Sequence, residues 1–265
     1  MNRTMKNTIT GDYAITIVSL MEINHQPFYD ETTSQKWSVR YYYDEKFYRN
    51  IVIDVLEFPQ SNAPEVQPTY KLFCKLNSIF QHLHLRLDND GNVSSLVNKE
   101  EIEVRWECVK KEILSEYAGI NPVKKMVEKL NFTYYSCKET IMQSLLHLVL
   151  LACYRDEEKF VVRLPSVLNE GELIYTDVKR ILSDSDKLYF HGEGCVHNIS
   201  AMKKAYDKQI KPLTQSDFNY AYTIDVKYIF KSEHTIQKIE ACIREQSSNR
   251  FVYKKTVTFS LIPKE

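Results

Sequence analysis

Glycine and proline are scarce in this chain of 265 residues, six and eight respectively, which excludes collagen-like, low-complexity and linker-rich architectures. An excess of charge is missing as well. Lys plus Arg is 35 and Asp plus Glu is 35, so no global field draws the chain to nucleic acid or to an anionic membrane. No apolar run approaches the roughly 20 residues that span a bilayer. The most apolar stretch, residues 145–153 (LLHLVLLAC), reads as a buried helix. The first ten residues, MNRTMKNTIT, carry an Arg and a Lys with no apolar segment behind them, so no export signal is read there. Paired cysteine motifs are absent too: Cys74, Cys108, Cys137, Cys153, Cys195 and Cys242 are scattered without a CxxC. They are expected to be reduced thiols in a cytoplasmic protein.

The catalytic frames that can be recognised by spacing are also lacking. There is no G-x-S-x-G nucleophile elbow, no P-loop and no G-x-G-x-x-G, and no cofactor is expected. The Asp88, Asp90, Gly91 cluster fails as a calcium loop. Aligning Gly91 with the invariant glycine puts Arg86 at the first ligand position and Val97 where a bidentate Glu is required, so the cluster reads as a hairpin turn.

What is present is aromatic: 18 Tyr and 12 Phe, residues that favour strands. Residues 13–23 (YAITIVSLMEI) read as a strand covered on both faces, with Ile15, Ile17 and Ser19 alternating against Thr16, Val18 and Leu20. Trp37, Val39, Tyr41 and Tyr43 share one face of the next strand, and 51–58 (IVIDVLEF) return as a hairpin. Residues 59–68, with three prolines, read as an extended loop before a helical stripe at Leu72, Phe73, Leu76, Ile79 and Phe80. A second hairpin pairs 82–87 (HLHLRL) with 93–97.

Three helices are expected next. Asn98 caps one, striped by Ile102, Trp106, Val109, Ile113 and Tyr117 and ended by Gly119; Asn121 and Pro122 start another; the third runs over 136–154. Strands are expected at 160–164, 173–178, 188–196 and 220–230, with a helix at 199–209. In a terminal hairpin, Ile239, Ala241 and Ile243 alternate on one strand and Phe251, Tyr253, Lys255, Val257, Phe259 and Leu261 on the other.

Strand-rich ends around a helical centre at about 98–154 define an α+β chain, expected to be one domain over 1–265. The expected architecture is a curved antiparallel sheet, half-barrel-like, with helices packed on one face. In element order alone, with no shared motif, this is similar to half-barrel lipid carriers such as lipoprotein-localisation factors.

Two functional readings compete. In the first, a non-catalytic binding or scaffold protein holds a protein segment or an apolar small molecule on its sheet, with Tyr41, Tyr43, Tyr253 and Phe259 as contact residues. In the second, a metal-dependent or Cys/His hydrolase centres on His82 and His84, which share one strand face, and on 191–197 (HGEGCVH). That segment offers His191, Glu193, Cys195 and His197, with two glycines around which the backbone could approach a ligand. The basic and aromatic clusters at 40–49 and 253–255 read as solvated sheet face, not as a nucleic-acid platform. His147, inside the apolar run, reads as a packing residue.

Overall fold

The computed structural model describes residues 9–61, 67–130, 134–155, 157–169, 172–184, 186–232 and 235–263. Its N-terminal part is β1 (Ile9–Ile23), β2 (Gln26–Tyr43), β3 (Arg49–Ser61), α1 (Gln67–Asn77), β4 (His82–Leu87) and β5 (Val93–Leu96). The centre is α2 (Lys99–Glu116), α3 (Asn121–Lys129), α4 (Tyr134–Gln143) and α5 (Leu145–Ala152). The C-terminal part is β6 (Lys159–Pro165), β7 (Leu173–Ser183), β8 (Lys187–Val196), α6 (Ile199–Gln209), α7 (Lys211–Thr214), β9 (Ala221–Ser232), β10 (Thr235–Ser248) and β11 (Phe251–Leu261).

All eleven strands form one antiparallel sheet in the order β5-β4-β3-β2-β1-β11-β10-β9-β8-β7-β6. The first and last strands pair at its middle, Tyr13 opposite Leu261 through Ile23 opposite Phe251. The edges β5 and β6 therefore flank the helical centre in sequence. Among the described residues no pairing joins those edges, so the sheet is not closed. Helix α4 packs against both of them.

Alternation explains the strands. Tyr13 and Ile15 on β1, Trp37, Val39 and Tyr41 on β2, and Val257 and Phe259 on β11 all enter one buried cluster. The other side of β1 is not covered: Thr16 and Val18 are exposed, against the expectation of two buried faces. A strand this apolar is tolerated there because its outward positions are Thr, Ala, Val and Leu, and isolated exposed apolar residues carry little penalty.

The helix expected over 136–154 is two helices. Ser144 is extended (φ −77°, ψ 121°), which separates α4 at the sheet edges from α5 in the core. Without that break one straight rod would have to serve both places. The Tyr228 hydroxyl donates to the Val149 carbonyl (2.6 Å), His147 packs on Trp37 with ring centroids 5.2 Å apart, and Tyr154 stacks on Tyr41 at 4.8 Å. The turn at Gly91 (φ +84°) fits under the same segment, where an added Cβ would lie 2.1 Å from the Tyr154 carbonyl oxygen, so only glycine serves.

The α2 stripe is as expected, with Ile102, Trp106, Val109 and Ile113 buried. Its cap is not. Asn98 makes no side-chain cap bond; its amide instead accepts from His84 N–H and donates to the His82 carbonyl, fastening α2 to β4. Helix α3 begins at Asn121 with Ile120 as its cap, one residue earlier than expected from Asn121 as cap and Pro122 as first helical residue. β3 continues through Pro59 to Ser61, inside the expected loop; residues 62–66 lie outside the described set. Among the described residues no helix is long and apolar enough to cross a membrane. Cys74, Cys108, Cys153, Cys195 and Cys242 are free, and the side chain of Cys137 lies outside the described residues.

Candidate functional site

Register places a polar row on the core-facing side of the sheet. Reading across neighbouring strands, Glu31 lies opposite Ser19, Ser19 opposite Lys255, Lys255 opposite Ile243, and Ile243 opposite Ile224. Two residues further along, Tyr29, Met21, Tyr253, Glu245 and Tyr222 form the next row. Both rows lie toward the β1–β2 hairpin, while α5 sits over the rows nearer Trp37 and Phe259.

Burial and charge set the chemistry of these rows. Desolvation lowers the Lys255 pKa, and the nearby Glu31 carboxylate offsets this in part. Among the described residues the Lys255 ammonium has no hydrogen bond or ion pair. The Tyr29 hydroxyl donates to Glu31. Burial raises the Tyr253 pKa although Ser19 hydrogen-bonds its hydroxyl, and the negative charges of Glu245 and Glu31 raise it further. Glu245 is buried and saturated: it accepts from Ser166 Oγ (2.5 Å), Val167 N–H (2.8 Å) and the Tyr220 hydroxyl (3.0 Å). It thus ties the loop after β6 to β10 and is not free to pair with Lys255.

The four aromatic candidates divide. Tyr41 and Phe259 are 2% and 0% exposed and belong to the core, Phe259 edge-on to both Tyr13 and Trp37. Tyr43 is 46% exposed, its ring edge-on to Tyr41 and the two hydroxyls 3.2 Å apart. Tyr253 alone lies on the partly covered face beside Lys255.

The histidine candidates are not brought together. His82 and His84 do share the outward face of β4, but His191 lies on β8 and His197 just beyond it, with six strands intervening between β4 and β8. At about 4.8 Å per strand that is roughly 30 Å along the sheet. Each is engaged locally. His82 Nδ1 meets Asp54 (2.5 Å); His84 Nε2 meets Asn50 (3.2 Å) and the Tyr42 hydroxyl (3.1 Å). Burial, then the charges of His82, Arg86 and Arg40, lower the His84 pKa. His191 Nδ1 meets Asp225 (2.8 Å), which also accepts from Tyr189, while His197 packs edge-on against Tyr175. No group of three metal-ligating side chains assembles among the described residues.

Cys195 and His191 are four residues apart on β8, about 13 Å, too far for thiol and imidazole to meet. The two glycines do not open a ligand approach. The space over Gly192 is filled by Thr176, Ile224 and Val178, and that over Gly194 by Tyr222 and Ile174.

His147 is a packing residue as expected, yet its Nδ1 has no partner among the described residues, and burial pushes its pKa down to about 4. No protein-family model matches the chain, and no curated protein matches it either.

Proposed function

We propose that this is a non-catalytic binding protein, in which the sheet curves into a half-barrel-like trough with helices on its inner face. The trough holds an apolar small molecule or the apolar side chains of a protein segment. One observation carries the reading: cover fails along a single sheet face. Ile15, Val257 and Phe259 are fully buried at the α5 end, whereas Ile17, Met21 and Tyr253, between them and the buried Phe251 at the far end of β11, are only partly covered. Apolar side chains on a concave face that the chain itself leaves half covered are what an apolar ligand site requires. That α4 touches both edge strands supports the curvature. The unpaired state of the five described cysteines supports a reducing compartment such as the cytoplasm.

Titration with Nile red, a neutral apolar dye, tests the reading. Saturable binding is expected, weakened about tenfold or more by Ile17→Asn on the inner face and unchanged by Val18→Asn on the outer face. Absence of saturable binding to the folded wild type would discard it.

A further inference from the structure

We infer that the trough is selective for an amphiphile with one negative charge, whose carboxylate sits on Lys255 and the hydrogen-bonded Ser19 and Tyr253 hydroxyls while its chain lies along Ile17 and Met21. This rests on the trough reading and goes beyond it by naming the ligand class.

The argument starts from the alternation of β11. Phe251, Val257 and Phe259 point to the core, and Lys255 occupies the same register, so its ammonium is carried to the inner face by the strand itself. A lysine taken out of water is stabilised by a carboxylate in hydrogen-bond reach, and natural chains usually supply one. Here the two nearby acids are otherwise engaged. Glu245 is held by three donors, and Glu31 accepts from Tyr29 and makes no ion pair with Lys255 among the described residues. Desolvation dominates the depressed pKa of the lysine and Glu31 offsets it only in part, in agreement with a charge that the protein leaves incompletely compensated.

The neighbours define the rest of the ligand. Ser19 and Ile243 are the direct cross-strand partners of Lys255, and Tyr253 shares its strand face two residues away. Ser19 and Tyr253 share one hydrogen bond, which leaves one hydroxyl proton of the pair and the ammonium to donate to the two oxygens of a carboxylate. Glu31 already offsets part of the ammonium's charge and repels any further anion, the more so the higher its charge, which favours a carboxylate over a phosphate monoester. Ile17 and Met21, partly covered on the same face, favour a hydrocarbon chain over a polar acid such as citrate.

The test compares palmitate with hexadecanol, the same chain without the charge, by displacement of Nile red below the critical micelle concentration. Wild type is expected to bind the acid about tenfold or more tightly than the alcohol, the scale of one charge-assisted hydrogen bond. Lys255→Met should abolish the preference and leave the alcohol affinity unchanged, and Lys255→Arg should retain it; a thermal melt confirms that both variants fold. Equal binding of acid and alcohol by wild type, or a preference that survives Lys255→Met, overturns the assignment of the head group while leaving the trough intact. Binding of neither ligand overturns both.

Discussion

The two ends of the inner sheet face are built from the same strands and differ in what covers them. At the α5 end, Trp37, Tyr41, Tyr228 and Phe259 are packed by a helix that contributes Val149, His147 and the following Tyr154. At the hairpin end, Ser19, Met21 and Lys255 stand beside a single aromatic, Tyr253, and the ammonium of Lys255 is incompletely matched. The first end is where burial stabilises the fold; at the second, under the proposed function, a bound ligand would add stability.

The largest expected effect breaks the comparison directly. Phe259→Ala removes a fully buried ring from contact with Tyr13 and Trp37 and should cost about 3 to 5 kcal/mol in urea unfolding. Tyr253→Ala should cost no more than about half as much. Equal losses would mean that the two ends are packed alike.

Acid should act on the α5 end through His147. Its folded pKa of about 4 lies below the ordinary 6.5, so between those values the unfolded chain binds a proton that the folded chain does not. Stability should therefore fall as pH drops from about 6.5 to about 4, by about 3 kcal/mol from this group. His147→Phe, which keeps a ring against Trp37, should flatten that part of the profile. An unchanged slope would show that the imidazole is not neutral in the folded protein.

The sequence made the stripes legible and the coverage illegible. β4 was bounded to the residue because strict alternation leaves one solution, and α6 falls where a helix from Ile199 to about Gln209 was expected ahead of Pro212. The Ser144 break was hidden because 145–153 is apolar on every side, so its periodicity could not show a change of direction. Alternation did place Ser19 beside Ile15 and Ile17, and Lys255 beside Val257 and Phe259. That a serine and a lysine stand in an apolar register was the available signal for the site. What it lacked was the cross-strand register that puts the two opposite each other, a property set by pairing between chain ends and not by local pattern.

At the hairpin end, Lys255→Met should raise stability near neutral pH, on the order of 1 kcal/mol. A lowered lysine pKa means that the folded state disfavours the charged form, and methionine fills a similar volume without that charge. This gain is fully present below the folded pKa and shrinks as pH rises toward the ordinary 10.5, where the lysine itself becomes neutral. A loss of more than about 1 kcal/mol would reveal a partner for the ammonium.

The smallest effect is expected on the opposite face of the sheet. His82 and His84 lie on the other face; Asp54, directly across from His82, is partly exposed, where such a pair contributes about 0 to 1 kcal/mol, while His84 meets the buried Asn50 of β3 and Tyr42 of β2. Gln keeps a donor and an acceptor at both places. His82→Gln with His84→Gln should thus change stability by no more than about 1 kcal/mol and leave Nile red affinity within a few fold, because the substituted side chains and the dye occupy different sides of one sheet. The competing hydrolase reading requires the reverse: a metal held by these two residues would be lost with them. Untagged wild-type protein that retains stoichiometric zinc, when the double variant retains none, would make the outer face the working one and the trough incidental.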